Sequence, residues 1–152
     1  SPVYVADPYV GDDEVVAAGG TGVAIEDLFE RSDLISLNAP GRADGQPIID
    51  RSLLRRAKPD ALVVNTARGT LIDEAALVEA LATGKLGGAG LDVFQTEPLP
   101  ADSPLRSVRN LILTDHVGWY SESSVRTLQR KIGQQARAIL SGQVPENWVN
   151  TW

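Results

Sequence analysis

Cysteine is absent from this 152-residue chain, and histidine occurs only once, at position 116. The first absence excludes a disulfide framework and a thiolate metal site, and a lone histidine argues against a protein-built zinc centre. Without cysteine the sequence carries no redox mark of its compartment, so a cytoplasmic location is the default expectation. Long apolar runs are also missing. No stretch approaches the roughly 18 to 20 apolar residues of a membrane span. The opening "SPVYVADPYV" has neither the basic nor the apolar region of a signal peptide, so no membrane role is expected. Basic residues are in the minority, 14 against 20 acidic ones, and the net charge of −6 has the wrong sign for direct nucleic-acid binding.

What is present suits one globular unit, with 43% hydrophobic residues over a single-domain length. Short β-branched runs alternate with helical patterns, which predicts parallel strands joined by crossover helices. Strands are expected at "VYVA" (3 to 6), "VAI" (23 to 25), "LISL" (34 to 37), "ALVVNTA" (61 to 67), "GAGLDV" (88 to 93) and "NLILT" (110 to 114). Their continuous apolar character predicts a sheet covered by helices on both faces. Helices are expected at "IEDLFERS", "DRSLLRRAK" and "DEAALVEALATGK"; in the last, Asp73 serves as N-cap, Leu77, Ala80 and Leu81 form the apolar stripe, and Gly84 is the stop. A longer helix from Ser121 to about Leu140 would carry Val125, Leu128, Ile132, Ala136 and Ile139 on one face. Loops are expected at "YVGDDEV", "APGRADGQP" and "QTEPLPADSP".

Several chemistry-bearing residues follow strand ends, where parallel sheets bind ligands. Asp7 ends the first strand, either as a ribose-binding acid or as an exposed aspartate before Pro8. Asn65, Thr66 and Ala67 leave a buried strand and Arg68 follows at once. That arginine either forks onto a substrate carboxylate or pairs on the surface with Asp73 or Glu74. "LDVFQTEP" brings Asp92 and Glu97, and "LILTDHVG" brings His116. Successive strands thus deliver an arginine, a glutamate and a histidine to one edge. A carboxylate beside an imidazole fixes its tautomer and suits it to acid–base work.

The blocks "VNTARGTLIDEAALVEAL", "GLDVFQTEP" and "TDHVGW", in this order and spacing, resemble the D-isomer-specific 2-hydroxyacid dehydrogenases over nearly the whole chain. The resemblance implies an α/β fold: a Rossmann-like, doubly wound parallel sheet spanning residues 1–120 as a partial NAD-binding domain, with 121–152 as a helix and tail returning to a substrate domain. It implies Arg68, Glu97 and His116 as the catalytic set, working with NAD on a small 2-oxo or 2-hydroxy acid. Cofactor contacts would involve Asp7, Pro8, Asn38, Ala39, Pro40, Thr66, Ala67, Arg68, Asp92, His116 and Gly118. Most relatives have a proline before the histidine and a smaller residue three places after it, where this chain has Asp115 and Trp119. Trp119 is then a wall of the substrate pocket, beside Arg68 and His116, or an interdomain packing aromatic. "GWYSE" resembles the C-terminal binding protein branch, NAD(H)-responsive corepressors, so a sensing and interaction role is the alternative.

The family's Gly-rich phosphate loop would precede Ser1, and "GGTGVA" (19 to 24) is no substitute, because it is expected to lead into a strand and not to open a helix. The expectation is therefore a C-terminal piece of a protein of roughly 300 residues or more. The first strand would be missing between the strands at 3 to 6 and 61 to 67, the piece would have little activity of its own, and the long helix's apolar face would associate with another copy, as in a homodimer, or with the missing part.

Overall fold

The computed structural model describes residues 1–147 and 149 and divides the chain into two compact units, Ser1–His116 and Val117–Trp152. In the first unit, strand β1 (Tyr4–Val5) pairs in parallel with β2 (Thr21–Gly22). Strands β3 (Leu34–Leu37), β4 (Leu62–Asn65), β5 (Gly88–Leu91) and β6 (Leu111–Leu113) form a separate parallel sheet in that order. Helices α1 (Asp12–Ala17), α2 (Ile25–Arg31), α3 (Arg51–Arg56) and α4 (Glu74–Ala82) lie between strands in the chain. This is the Rossmann-like α/β architecture that the alternation of elements predicts.

Local chemistry accounts for the helix ends. The Asp50 carboxylate caps α3 by accepting the Leu53 N–H at 2.9 Å, and Asp73 caps α4 by accepting the Ala76 N–H at 3.0 Å. The chain leaves α4 through Gly84, whose φ of +69° lies in the left-handed region that glycine enters without penalty. Leu53, Leu54, Ala76, Leu77, Ala80 and Leu81 pack with Ile35, Val63, Ala89 and Leu91 into one buried core.

Four expectations are corrected. The sheet is covered on one face only among the described residues: Ile35, Val63 and Ala89 are buried, whereas Leu34, Leu62 and Ile112, which alternate with them, are 61%, 46% and 70% exposed. The reason is that α3 and α4 pack on the same side. Second, the 61–67 strand does not border a gap, and the edge strand of the four-stranded sheet on that side is β3. β4 sits between β3 and β5, in register Leu34↔Leu62 on one side and Leu62↔Gly88 on the other, because strands joined by one short crossover become neighbours. Third, the second strand is Thr21–Gly22 and not 23–25. It lies inside "GGTGVA", and a helix opens directly after it at Ile25, contrary to the reason given for setting that stretch aside. Its place is fixed by Thr21 and Val23, whose N–H groups donate to the carbonyls of Val3 and Val5. Fourth, "YVGDDEV" holds the start of α1, with three acidic residues in the first turn, where they complement the helix dipole, and Val15 buried beneath.

In the second unit, α5 (Glu122–Leu140) is capped by Ser121, whose hydroxyl accepts the Ser124 N–H at 3.1 Å, and stops before Gly142 at φ +75°. Its apolar residues Leu128, Ile132 and Ile139 are exposed.

Candidate active site

The carboxyl ends of β4, β5 and β6 lie side by side, and Arg68, Glu97 and His116 follow them by short excursions. The ladder continues past the strands. The Asp92 N–H donates to the Asn65 carbonyl at 2.9 Å, and the His116 N–H donates to the Asp92 carbonyl at 2.8 Å. At His116 the chain turns with φ of 51°, a left-handed conformation that histidine adopts more readily than most side chains.

Arg68 stands on a turn built by Asn65. This asparagine is 1% exposed; its Oδ1 accepts the Ala67 N–H at 3.0 Å and its Nδ2 donates to the Arg68 carbonyl at 2.9 Å. The Arg68 side chain is exposed, and its Nη1 donates to the Ala67 carbonyl at 2.6 Å. The surface pairing weighed for it is not what the structure has. Asp73 caps α4, and the Glu74 Oε1 accepts the Gln95 N–H at 2.6 Å.

Glu97 reaches His116 directly, with Oε2 2.8 Å from Nδ1, while its Oε1 accepts the Phe94 N–H at 3.0 Å. The peptide joining Glu97 to Pro98 is cis. The hydrogen bond to His116, then the Phe94 N–H, hold the Glu97 carboxyl below its ordinary value. An ionised Glu97 accepts from Nδ1, so Nδ1 carries the proton. Asp92 is 4% exposed, and its Oδ1 accepts the Thr114 hydroxyl at 2.5 Å.

The other candidates are more scattered. Asp7 is exposed after β1, with Oδ1 accepting the Tyr9 N–H at 2.8 Å, and Pro8 lies within that turn. Asn38, Ala39 and Pro40 form the exposed exit from β3. Next to them Gly41 runs against the Arg68 loop, since a Cβ there would lie 3.0 Å from the Thr70 hydroxyl and 4.0 Å from the Arg68 Cγ. Beyond it Arg42 grips Asp44 with two hydrogen bonds of 3.0 and 2.7 Å, which pull the Asp44 carboxyl down to about 2. Thr66 is exposed and Ala67 half-buried. Gly118 and Trp119 fall in the second unit, where Trp119 is 52% exposed and meets Tyr120 edge to face, ring centres 5.4 Å apart.

Sequence reading passed over what joins these pieces. Gly69 follows Arg68, and a Cβ on it would lie 1.9 Å from the Phe94 carbonyl carbon, so only glycine lets the two loops touch. Gln95 spans the same gap, its Nε2 donating to the Ile72 carbonyl at 2.7 Å. The available signals were small: a glycine directly after an arginine, and a polar Asn65 inside an apolar strand.

Comparison with known proteins identifies the family and the fold. The profile of the D-isomer specific 2-hydroxyacid dehydrogenase NAD binding domain matches residues 1–118. A glyoxylate reductase of Korarchaeum cryptofilum is 38% identical over 128 residues, 84% of this chain and 39% of that protein. A D-3-phosphoglycerate dehydrogenase of Methanocaldococcus jannaschii is 40% identical over 146 residues, 95% of this chain and 28% of that protein. Among solved structures, D-lactate dehydrogenase with NAD+ from Lactobacillus jensenii superposes with a TM-score of 0.86 at 26% identity, covering 99% of this chain and 49% of that one. The chain thus spans between about a quarter and two-fifths of the length of these curated relatives.

Proposed function

The chain belongs to the D-isomer specific 2-hydroxyacid dehydrogenase family, and from that premise we propose that the protein interconverts a 2-oxo acid and its D-2-hydroxy acid with NAD(H), using Arg68, Glu97 and His116. The observation that carries this reading is the 2.8 Å contact between Glu97 Oε2 and His116 Nδ1 at the sheet edge that also bears Arg68.

The residues present fit a nicotinamide dinucleotide. Asp7 offers an exposed, acceptor-only carboxylate at a strand end, matched to ribose hydroxyl donors and repelling a 2′-phosphate of the same charge, which favours NAD over NADP. When bound, NADH supplies the hydride to the carbonyl carbon. Arg68 places two N–H donors on the substrate carboxylate and sets the carbonyl toward His116. Glu97 holds Nδ1–H and balances the charge of the protonated ring. His116 gives the Nε2 proton to the carbonyl oxygen as negative charge grows there. In the oxidative direction the same nitrogen takes the hydroxyl proton.

The relatives' names span glyoxylate, 3-phosphoglycerate and D-lactate, so the test is a panel. The protein at its native full length is assayed against 2-oxo acids of different size and charge with NADH and NADPH. We expect NADH-dependent reduction of at least one, and a fall in kcat of about 10²- to 10⁴-fold for His116→Ala. A panel without turnover, or an unchanged rate in His116→Ala, would overturn the reading.

A further inference from the structure

Arg68 stands on the loop after β4 and Glu97 on the loop after β5, with its partner His116 just after β6, and the first two loops are well braced internally. What fixes one loop against the other is a short seam. Backbone packs on backbone where Gly69 meets Phe94. Beside that contact Gln95 makes two bonds across the seam: its N–H donates to Glu74 Oε1 at 2.6 Å and its Nε2 donates to the Ile72 carbonyl at 2.7 Å. Ile72 is 1% exposed and ends the turn that Arg68 opens, and Gln95 is two residues from Glu97.

We propose that Gln95 is a positioning residue, whose side-chain amide, bonded to the Ile72 carbonyl, holds the Glu97–His116 acid–base pair in register with the Arg68 carboxylate clamp. It does not touch the substrate; it acts by fixing the distance between two groups that must engage one substrate at once. This rests on the dehydrogenase reading above. The amide is suited to the task because a donor is needed at Ile72. A carboxylate in its place would face the Ile72 carbonyl with no proton to give, and would lie close to the Glu74 carboxylate. A lysine can donate to the same carbonyl and is drawn to Glu74.

The test compares Gln95→Ala, Gln95→Glu and Gln95→Lys with the parent protein, by steady-state kinetics and by ring 15N shifts of His116, assigned by their loss in His116→Ala. Register errors near 1 Å cost up to about a hundredfold in rate. Gln95→Ala should therefore lose about tenfold in kcat with the KM for NADH unchanged, Gln95→Glu at least as much, and Gln95→Lys should recover most of the rate. The His116 ring shifts should move in the alanine and glutamate variants and return in the lysine variant. Parental kcat and parental ring shifts in Gln95→Ala would overturn the proposal. A fall in stability with kcat and ring shifts intact would also overturn it, by showing a merely structural role. If no 2-oxo acid is turned over by the parent, the functional reading fails while the ring shifts still decide whether Gln95 positions the pair.

Discussion

Gly69→Ala is the smallest change with a large calculable consequence. The added methyl would lie 1.9 Å from the carbonyl carbon and 2.0 Å from the carbonyl oxygen of Phe94, and 2.5 Å from the Gln95 nitrogen. All three are backbone atoms, so no side-chain rotation relieves the clash. Ordinary carbon contacts begin near about 3.5 Å, so the two loops must part by roughly 1.5 Å. Gly69 and Phe94 are both buried, so the movement reaches the core under the loops. Overpacking of this kind costs about 1–3 kcal/mol. With an m-value of about 1.5–2 kcal/mol/M in urea, the unfolding midpoint should fall by about 0.5–2 M. Separating the Arg68 loop from the Glu97 loop by that distance should also lower kcat/KM by about a hundredfold. Urea denaturation followed by circular dichroism reads the first effect and an NADH-coupled rate reads the second. A midpoint within about 0.2 M of the parent would refute the steric argument, because no relaxed backbone could hold that methyl without cost.

Asn65→Ala removes one acceptor and one donor from a site that is 1% exposed, and strands the Ala67 N–H and the Arg68 carbonyl. At about 1–3 kcal/mol for each such group, the loss should be roughly 2–6 kcal/mol; an unchanged urea midpoint would show that water replaces the carboxamide. Glu97→Gln tests the acid side of the stability profile. The Glu97 carboxyl is held below 4.5 by His116 first and the Phe94 N–H second, so its contribution is complete above the unfolded value and is lost as pH falls through the lower folded value. Below about 4.5 the parent should lose stability more steeply than Glu97→Gln; parallel profiles would mean that the contact adds nothing.

The parts of the fold most legible in the sequence were those written in strong local chemistry. Asp73 and Gly84 bracket α4 as their capping behaviour predicts, and Ser121 opens α5. Sheet coverage was less legible, because a continuous apolar run such as "LVV" says that both faces suit burial and not that both are covered. Leu62 and Val63 are neighbours in the same strand, one 46% exposed and the other 0%. The place of β3 was misjudged for a similar reason. Strand order is a property of crossovers, and reading the sheet from chemistry-bearing strand ends passes over a strand that ends in plain "LISL".

The site divides along the same line. His116 is placed by regular structure, since its N–H extends the ladder through Asp92 to Asn65, and a histidine three residues past an apolar strand is visible in the sequence. Arg68 and Glu97 are visible as chemistry, but their distance from each other is not set by any strand. It is set where Gly69 meets Phe94 and where Gln95 reaches Ile72, by a residue without a side chain and by a neutral amide. Neither carries a charge or a reactive atom, so reasoning from acid–base and carboxylate chemistry has no cause to select them. Steric and hydrogen-bond accounting does, because a missing Cβ and a satisfied buried carbonyl are both relations between segments distant in the chain. Substitution at these two positions should therefore separate two losses that substitution of His116 cannot: loss of the reacting group, and loss of its register with the group that holds the substrate.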